Sequence, residues 1–188
     1  MRITTIFLII FCSINLKSQE SFHSIDYHHG FIFGVSVGAG SLFLKQPDNQ
    51  KDFTFSISLP NIKFGYFLNK QFALQLLLPG AVYKYNKKDR GFEGAIFCAQ
   101  YWMQPNWWLL IGGGFTFDAP AFYTVKDPRS SSFYTGFPAL TLATGWEVYH
   151  YTNKNIDLQF RTFYGQSNTN NGLRTGWANM LLLGFNWN

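Results

Sequence analysis

Charge is scarce in this chain. Lys, Arg, Asp and Glu make up 13% of its 188 residues, about half the share of an ordinary soluble domain. So little charge cannot clothe a core built from 20% aromatic residues, 21 of them Phe. The surplus rings must face something apolar. Long apolar runs are missing as well. A membrane-spanning helix needs about 20 consecutive apolar residues, and none follows residue 16. That excludes a helical membrane protein. Cysteine is almost absent, with only Cys12 and Cys98, which excludes a disulfide framework in an exported chain that has lost its signal. Cys98 lies inside a strand pattern and reads as packing. Heptads, long amphipathic helices and charge blocks are also lacking, and nothing points to nucleic acid.

What is present is alternation. Mean hydropathy is −0.05 because apolar residues are interleaved with Gly, Ser, Thr, Asn and Gln. Such interleaving is the signature of strands with one apolar face. The first 18 residues differ. Arg2 precedes the apolar stretch Ile6 to Phe11, and Ser18 offers a small residue for cleavage. The segment is too short and wrongly flanked for a spanning helix, and it reads as a signal peptide over 1–18. Cys12 follows Phe11 where a lipoprotein signal needs a small residue, so lipidation is not expected. Removing Arg2 and Lys17 from the 15 basic residues leaves 13 against 10 acidic ones, a net charge of +3. Residues 19–29 are expected as a periplasmic N-terminal leader and 30–188 as the folded domain.

Eight extended segments follow. They span about 30–44, 53–67, 72–85, 91–103, 107–118, 135–149, 156–165 and 175–187. In the second, Phe53, Phe55, Ile57 and Leu59 share a face, and Ile62, Phe64 and Tyr66 take over after Pro60-Asn61. A bulge there explains the change of phase, because proline in a strand belongs at bulges or edges. The links after the second, fourth and sixth segments are tight, and those after the first, third, fifth and seventh tend to be longer. The expected fold is therefore all-β: an eight-stranded antiparallel up-and-down transmembrane β-barrel. Short periplasmic turns and longer outside loops orient it. Phe72, Trp102, Trp107, Trp108, Trp146 and Trp187 lie near the expected periplasmic ends and are assigned to an aromatic girdle.

The interior follows from phase. Lys63, Glu93, Glu147, Asp157 and Arg161 are expected to point inward, with Gln75, Gln159 and Tyr101. Eight strands leave a bore just wide enough for side chains to fill. Opposite charges would neutralise one another and plug it, with Glu147 and Arg161 as the pair across a tight turn. The same carboxylates and arginine can also be read as an acid/base group, but no substrate would enter easily.

The stretch Phe64 to Leu76 (FGYFLNKQFALQL) resembles the strand-turn-strand signature of small outer-membrane barrels of the OmpA and OmpX type. The Ser18-Gln19 junction and general style resemble such proteins from Bacteroidetes. The last strand, LLLGFNWN, resembles the C-terminal signal read by barrel-assembly machinery, although Asn188 rather than an aromatic ends it. The resemblance implies fold and compartment, the cell outer membrane, and assembly by that machinery. It implies no activity.

Other motifs were weighed for chemistry. The family of lipid A deacylases places a His two residues before a Ser-Asn pair; here Gln166-Ser167-Asn168 follows Gly165, and without the His the serine lacks its base. His23, His28 and His29 cluster before the first segment but read as incidental rather than as metal ligands. Gly112-Gly113-Gly114 lacks the context of a phosphate loop and relieves crowding, permits a bend or marks a close approach by another subunit. Lys84, Lys87, Lys88 and Arg90 lie in the second outer loop, where a contact with lipopolysaccharide phosphates is physically sensible. No catalytic, cofactor or metal site is expected. The chain reads as a non-enzymatic outer-membrane barrel, a structural or accessory subunit among other envelope proteins. The alternatives are a small transport barrel for ions or apolar solutes and a lipid-modifying enzyme.

Overall fold

The computed structural model describes residues 28–85, 88–121 and 132–188. The expected signal peptide, most of the leader with His23, and Lys87 lie outside the described residues. Alternation yields nine strands: β1 Phe31–Lys45, β2 Lys51–Asn69, β3 Phe72–Leu78, β4 Gly80–Tyr85, β5 Lys88–Gln104, β6 Trp107–Pro120, β7 Tyr134–Tyr151, β8 Lys154–Thr169 and β9 Gly172–Trp187. β3 and β4 are two halves of one wall strand. Pro79 separates them because proline has no N–H for the ladder, and both halves pair with β2 and with β5. β1 pairs with β2 on one side and β9 on the other, so the sheet closes into an antiparallel ring of eight. Closure removes every free sheet edge.

The stagger of the ring follows from its register. Successive cross-strand partners run Phe43, Trp177, Tyr164, Leu140, Gly113, Phe97, Leu76, Phe64 and back to β1 at Phe33. The circuit returns from position 43 to position 33, a stagger of ten residues. Such a stagger tilts the strands by about 40°. Ten residues at about 3.3 Å each then cover about 25 Å along the barrel axis, the height of a membrane-facing apolar band. The band is real: Phe31, Phe55, Phe97, Ile111, Phe137, Leu181 and other large side chains stand exposed on the outer face. A water-soluble barrel would gain nothing from this surface.

The phase change at Pro60-Asn61 is present. Ser56 and Ser58 face inward before it, and Asn61 and Lys63 after it. Between the partners Ile57–Val82 and Ile62–Leu78 the ladder opens. Asn61 bridges the opening. Its Oδ1 accepts the Gly80 N–H at 2.8 Å, and its amide donates to Ser36 O at 3.2 Å and Ser58 Oγ at 2.7 Å. The Ser58 hydroxyl donates to the Gly80 carbonyl.

Two-residue turns join β2 to β3, β5 to β6 and β7 to β8 at one end of the barrel, here the turn end. At the other, the loop end, only the β1–β2 and β6–β7 links are longer. β8 and β9 run past their expected limits to meet at Asn170-Asn171, and β4 and β5 are also separated by two residues. The expected asymmetry of link length therefore holds for two of these four links. Polar residues such as Gln166, Ser167 and Asn168 extend the ladder beyond the apolar band, where periodicity gave no signal.

Candidate functional site

The bore is filled in three layers. At the turn end, Glu147 of β7 is buried against side chains from β5, from its own strand and from the segment before β1. Trp102 Nε1 donates to its Oε1 at 2.8 Å, His28 Nε2 stands 3.3 Å from the same oxygen, and His150 Nδ1 lies 3.1 Å from the other. His28 belongs to the short segment before β1. Its ring stacks on Phe67 with centroids 5.2 Å apart and lies 4.6 Å from Trp102, so the chain before β1 seats a side chain in the mouth of the bore.

Next to it lies a chain of amides around Asp157, which is fully buried. Gln159 Nε2 donates to Asp157 Oδ1 at 2.7 Å, Asn186 Nδ2 to Asp157 Oδ2 at 3.1 Å, and Arg161 Nη2 to Gln159 Oε1 at 2.7 Å. Lys63 Nζ sits 5.5 Å from the centre of the Trp108 indole, a cation–π distance. Arg161 Nε and Nη1 and Trp108 Nε1 have no partner among the described residues. Above this layer the bore is apolar, with Phe92, Ile96, Leu77, Phe163 and Met180 packed together.

The loop end holds a second polar network. Asp118 is fully buried. Arg90 Nε donates to its Oδ1 at 2.8 Å, and Arg90 Nη2 donates to the carbonyls of Asp118 and Ser132, each at 2.9 Å. Tyr83 Oη donates to Asp118 Oδ2 at 2.9 Å and accepts from Arg174 Nη1 at 2.9 Å. Arg174 Nη1 also bonds Asp118 directly, and its Nε donates to Gln46 Oε1 at 2.8 Å. Gln46 in turn donates to Asp52 at 3.2 Å. Tyr85 and Tyr134 cover the two guanidinium planes at 4.7 and 5.4 Å.

Sequence phase placed some of these residues and missed others. Lys63, Glu147, Asp157 and Arg161 are all buried in the bore with Gln75 and Gln159. Glu93 and Tyr101 are not: on β5 the inward set is Arg90, Phe92, Ile96, Cys98, Gln100 and Trp102, and Glu93 and Tyr101 lie on the outer face. The error came from treating charge as the marker of the inside on a strand whose inner face is largely apolar. The Glu93 carboxylate lies over Gly91, where a Cβ would come within 2.2 Å of Oε1. The pair Glu147–Arg161 does not form either. The register sets Arg161 against Ala143, four positions along β7 from Glu147, and the histidines take the carboxylate instead.

The girdle assignment divides. Phe72, Trp107, Trp146 and Trp187 are on the outer face, but Trp102 and Trp108 are buried in the bore. Gly145, the partner of Trp108, makes the room: a Cβ there would stand 2.2 Å from the indole. Gly176 does the same for Phe92 at 2.5 Å. The alternation of Trp107, Leu109 and Ile111 on the outer face of β6 is the local signal that places Trp108 inside. Of the basic loop residues, Lys84 is exposed and Lys88 half-buried. Arg90 is buried on Asp118 and so does not face lipid. The loop-end network itself, Asp118 with Arg174, carried no sequence signal, since its members lie on strands distant in the chain. Ser167 is buried in the bore and His150 lies at the opposite end. Cys98 is a buried free thiol.

No family model matches this sequence, and no curated protein matches it. Solved structures do. Neisserial surface protein A is 21% identical with a TM-score of 0.57, over 84% of this chain and 96% of that one. Ail, the attachment invasion locus protein of Yersinia pestis, solved with the heparin analogue sucrose octasulfate, is 14% identical with a TM-score of 0.50, over 84% of this chain and 99% of that one. These likenesses concern the fold, and with the traced ring they identify an all-β, eight-stranded, antiparallel up-and-down barrel of the outer-membrane type.

Proposed function

We propose that this chain is exported through the signal at residues 1–18 and spans a bacterial outer membrane of the kind implied by its OmpA and OmpX resemblance. There it acts as a non-enzymatic structural or accessory subunit of an envelope complex. Its turn end faces the periplasm and its loop end the outside. The observation that carries this reading is the double closure of the bore. One polar network seals each end, and packed rings fill the space between. A permeability barrel requires a continuous water path, and here the buried rings of Phe92 and Phe163 stand in the bore with centroids 5.3 Å apart. The deacylase-like arrangement has no support either, because Gly165 and Ser167 both face the closed bore.

Two experiments test the proposal. Purified protein reconstituted in planar lipid bilayers should show no stable conductance steps; regular single-channel openings would overturn the plug. Mild detergent extraction of outer membranes should recover the barrel with a stoichiometric envelope partner. Recovery as a lone monomer would count against the accessory role.

A further inference from the structure

The outer face near the loop end carries two stacked rows. Phe53, Phe43, Trp177 and Tyr164 are successive cross-strand partners on β2, β1, β9 and β8. Phe43 and Phe53 rings meet at 4.5 Å, and Tyr164 and Trp177 meet edge to face at 6.1 Å. Such a line of aromatics marks headgroup depth. Two residues further out on the same face, the partners are Lys51, Lys45, Thr175 and Gln166. The aromatic row is thus capped by a polar row that opens with two lysines.

Those lysines stand directly opposite each other on adjacent antiparallel strands, both exposed. Like charges so placed repel and destabilise the pair. Among the described residues neither has an ion-pair partner. Asp52 is the adjacent carboxylate, but it takes a hydrogen bond from Gln46, which Arg174 holds in the bore. The carboxylate is thereby engaged with the inner network. Phe43, Phe53, Tyr164 and Trp177 wall a largely apolar groove of about 430 Å³, which Lys45, Lys51 and the exposed Asp52 also line.

We propose that Lys45 and Lys51 form a clamp for the phosphate of an anionic membrane lipid, whose acyl chain lies in that groove. A phosphate between the ammonium groups converts their repulsion into two charge-assisted hydrogen bonds. Thr175 and Gln166 offer polar contacts to the remainder of the headgroup. The groove explains why the ligand is a lipid rather than a free anion: inorganic phosphate would leave the aromatic walls uncovered. The site is distinct from the basic loop at Lys84 and Lys88, which lies at the β4–β5 link. The proposal rests on the membrane reading given above.

The test uses the full mature chain in neutral detergent and native mass spectrometry, with diphosphorylated lipid A, its dephosphorylated form and inorganic phosphate as probes. Wild-type protein should retain the diphosphorylated lipid at least about tenfold better than the dephosphorylated one. Lys45→Gln with Lys51→Gln should abolish that preference, and Lys84→Gln should not change it. Equal retention of the two lipids by wild type overturns the clamp, as does an unchanged preference in the double variant. Retention of inorganic phosphate as firm as that of the lipid overturns the lipid assignment. Folding of each variant is checked by heat-dependent gel migration; should the double variant not fold, wild-type discrimination and Lys45→Gln alone still decide. Insertion into neutral vesicles, read by protease protection, tests the membrane reading separately, because it requires no clamp.

Discussion

The two ends of the bore solve the same problem in different ways. At the loop end a single carboxylate, Asp118, gathers two arginines and a tyrosine, and every arm of the cluster is matched by an acceptor or an aromatic face. At the turn end the charges are spread. Among the described residues Glu147 faces two histidines, Asp157 accepts hydrogen bonds from two amides, and Arg161 leaves two nitrogens without a partner. A buried charge costs far more to strand than a matched pair contributes. The loop end should therefore be brittle toward single changes, and the turn end tolerant of some of them.

Asp118→Ala should have the largest effect. It strands two buried guanidinium groups, and about 3–5 kcal/mol of stability should be lost, read as a shift of the urea midpoint in detergent. Replacing Asp118, Arg90 and Arg174 together by apolar residues of similar volume should cost much less. If the triple variant is as unstable as the single one, the cluster is not the reason. Glu147→Ala should cost about 2–3 kcal/mol, since it removes a charged acceptor from Trp102 and His28. It should also release the segment before β1, seen as faster proteolysis next to His28, which Asp118→Ala should not reproduce at equal residual stability. Gly145→Val should cost about 1–3 kcal/mol by driving a side chain into the Trp108 indole; an altered tryptophan emission would accompany it. Arg161→Met should change stability by less than about 1 kcal/mol, because Arg161 is poorly matched where it lies. A loss as large as that of Arg174→Met would erase the contrast between the two ends.

How much of this could be read in the chain depends on the strand. β2 was legible to the residue: Phe55 and Ile57 before Pro60, then Phe64 and Tyr66 after it, mark a change of face that the ladder reproduces. β8 was equally plain, because Asp157, Gln159 and Arg161 alternate with Leu158 and Phe160. β5 failed because both of its faces carry rings, and its one acidic residue in the band, Glu93, lies outside. Asp118 lay within an expected strand, yet nothing local distinguished it from a residue at a strand end. Arg174 precedes the start of the last strand that alternation predicts, and only the longer β8–β9 ladder brings it in, opposite Ser167.

The closed, apolar-skinned barrel is already written in the order of residues. Alternation is a local property, readable two residues at a time, and so few charges leave no other environment for the outer face. Which charges meet depends on the folded ring. His28 and Glu147 are 119 positions apart, and Arg174 and Asp118 are 56 apart. What joins them is the ten-residue stagger of the ring, a property of all eight wall strands together. Closure of the ring likewise brings Trp177 and Tyr164 beside Phe43 and Phe53, so that the hairpin partners Lys45 and Lys51 stand above a row of rings drawn from both ends of the chain.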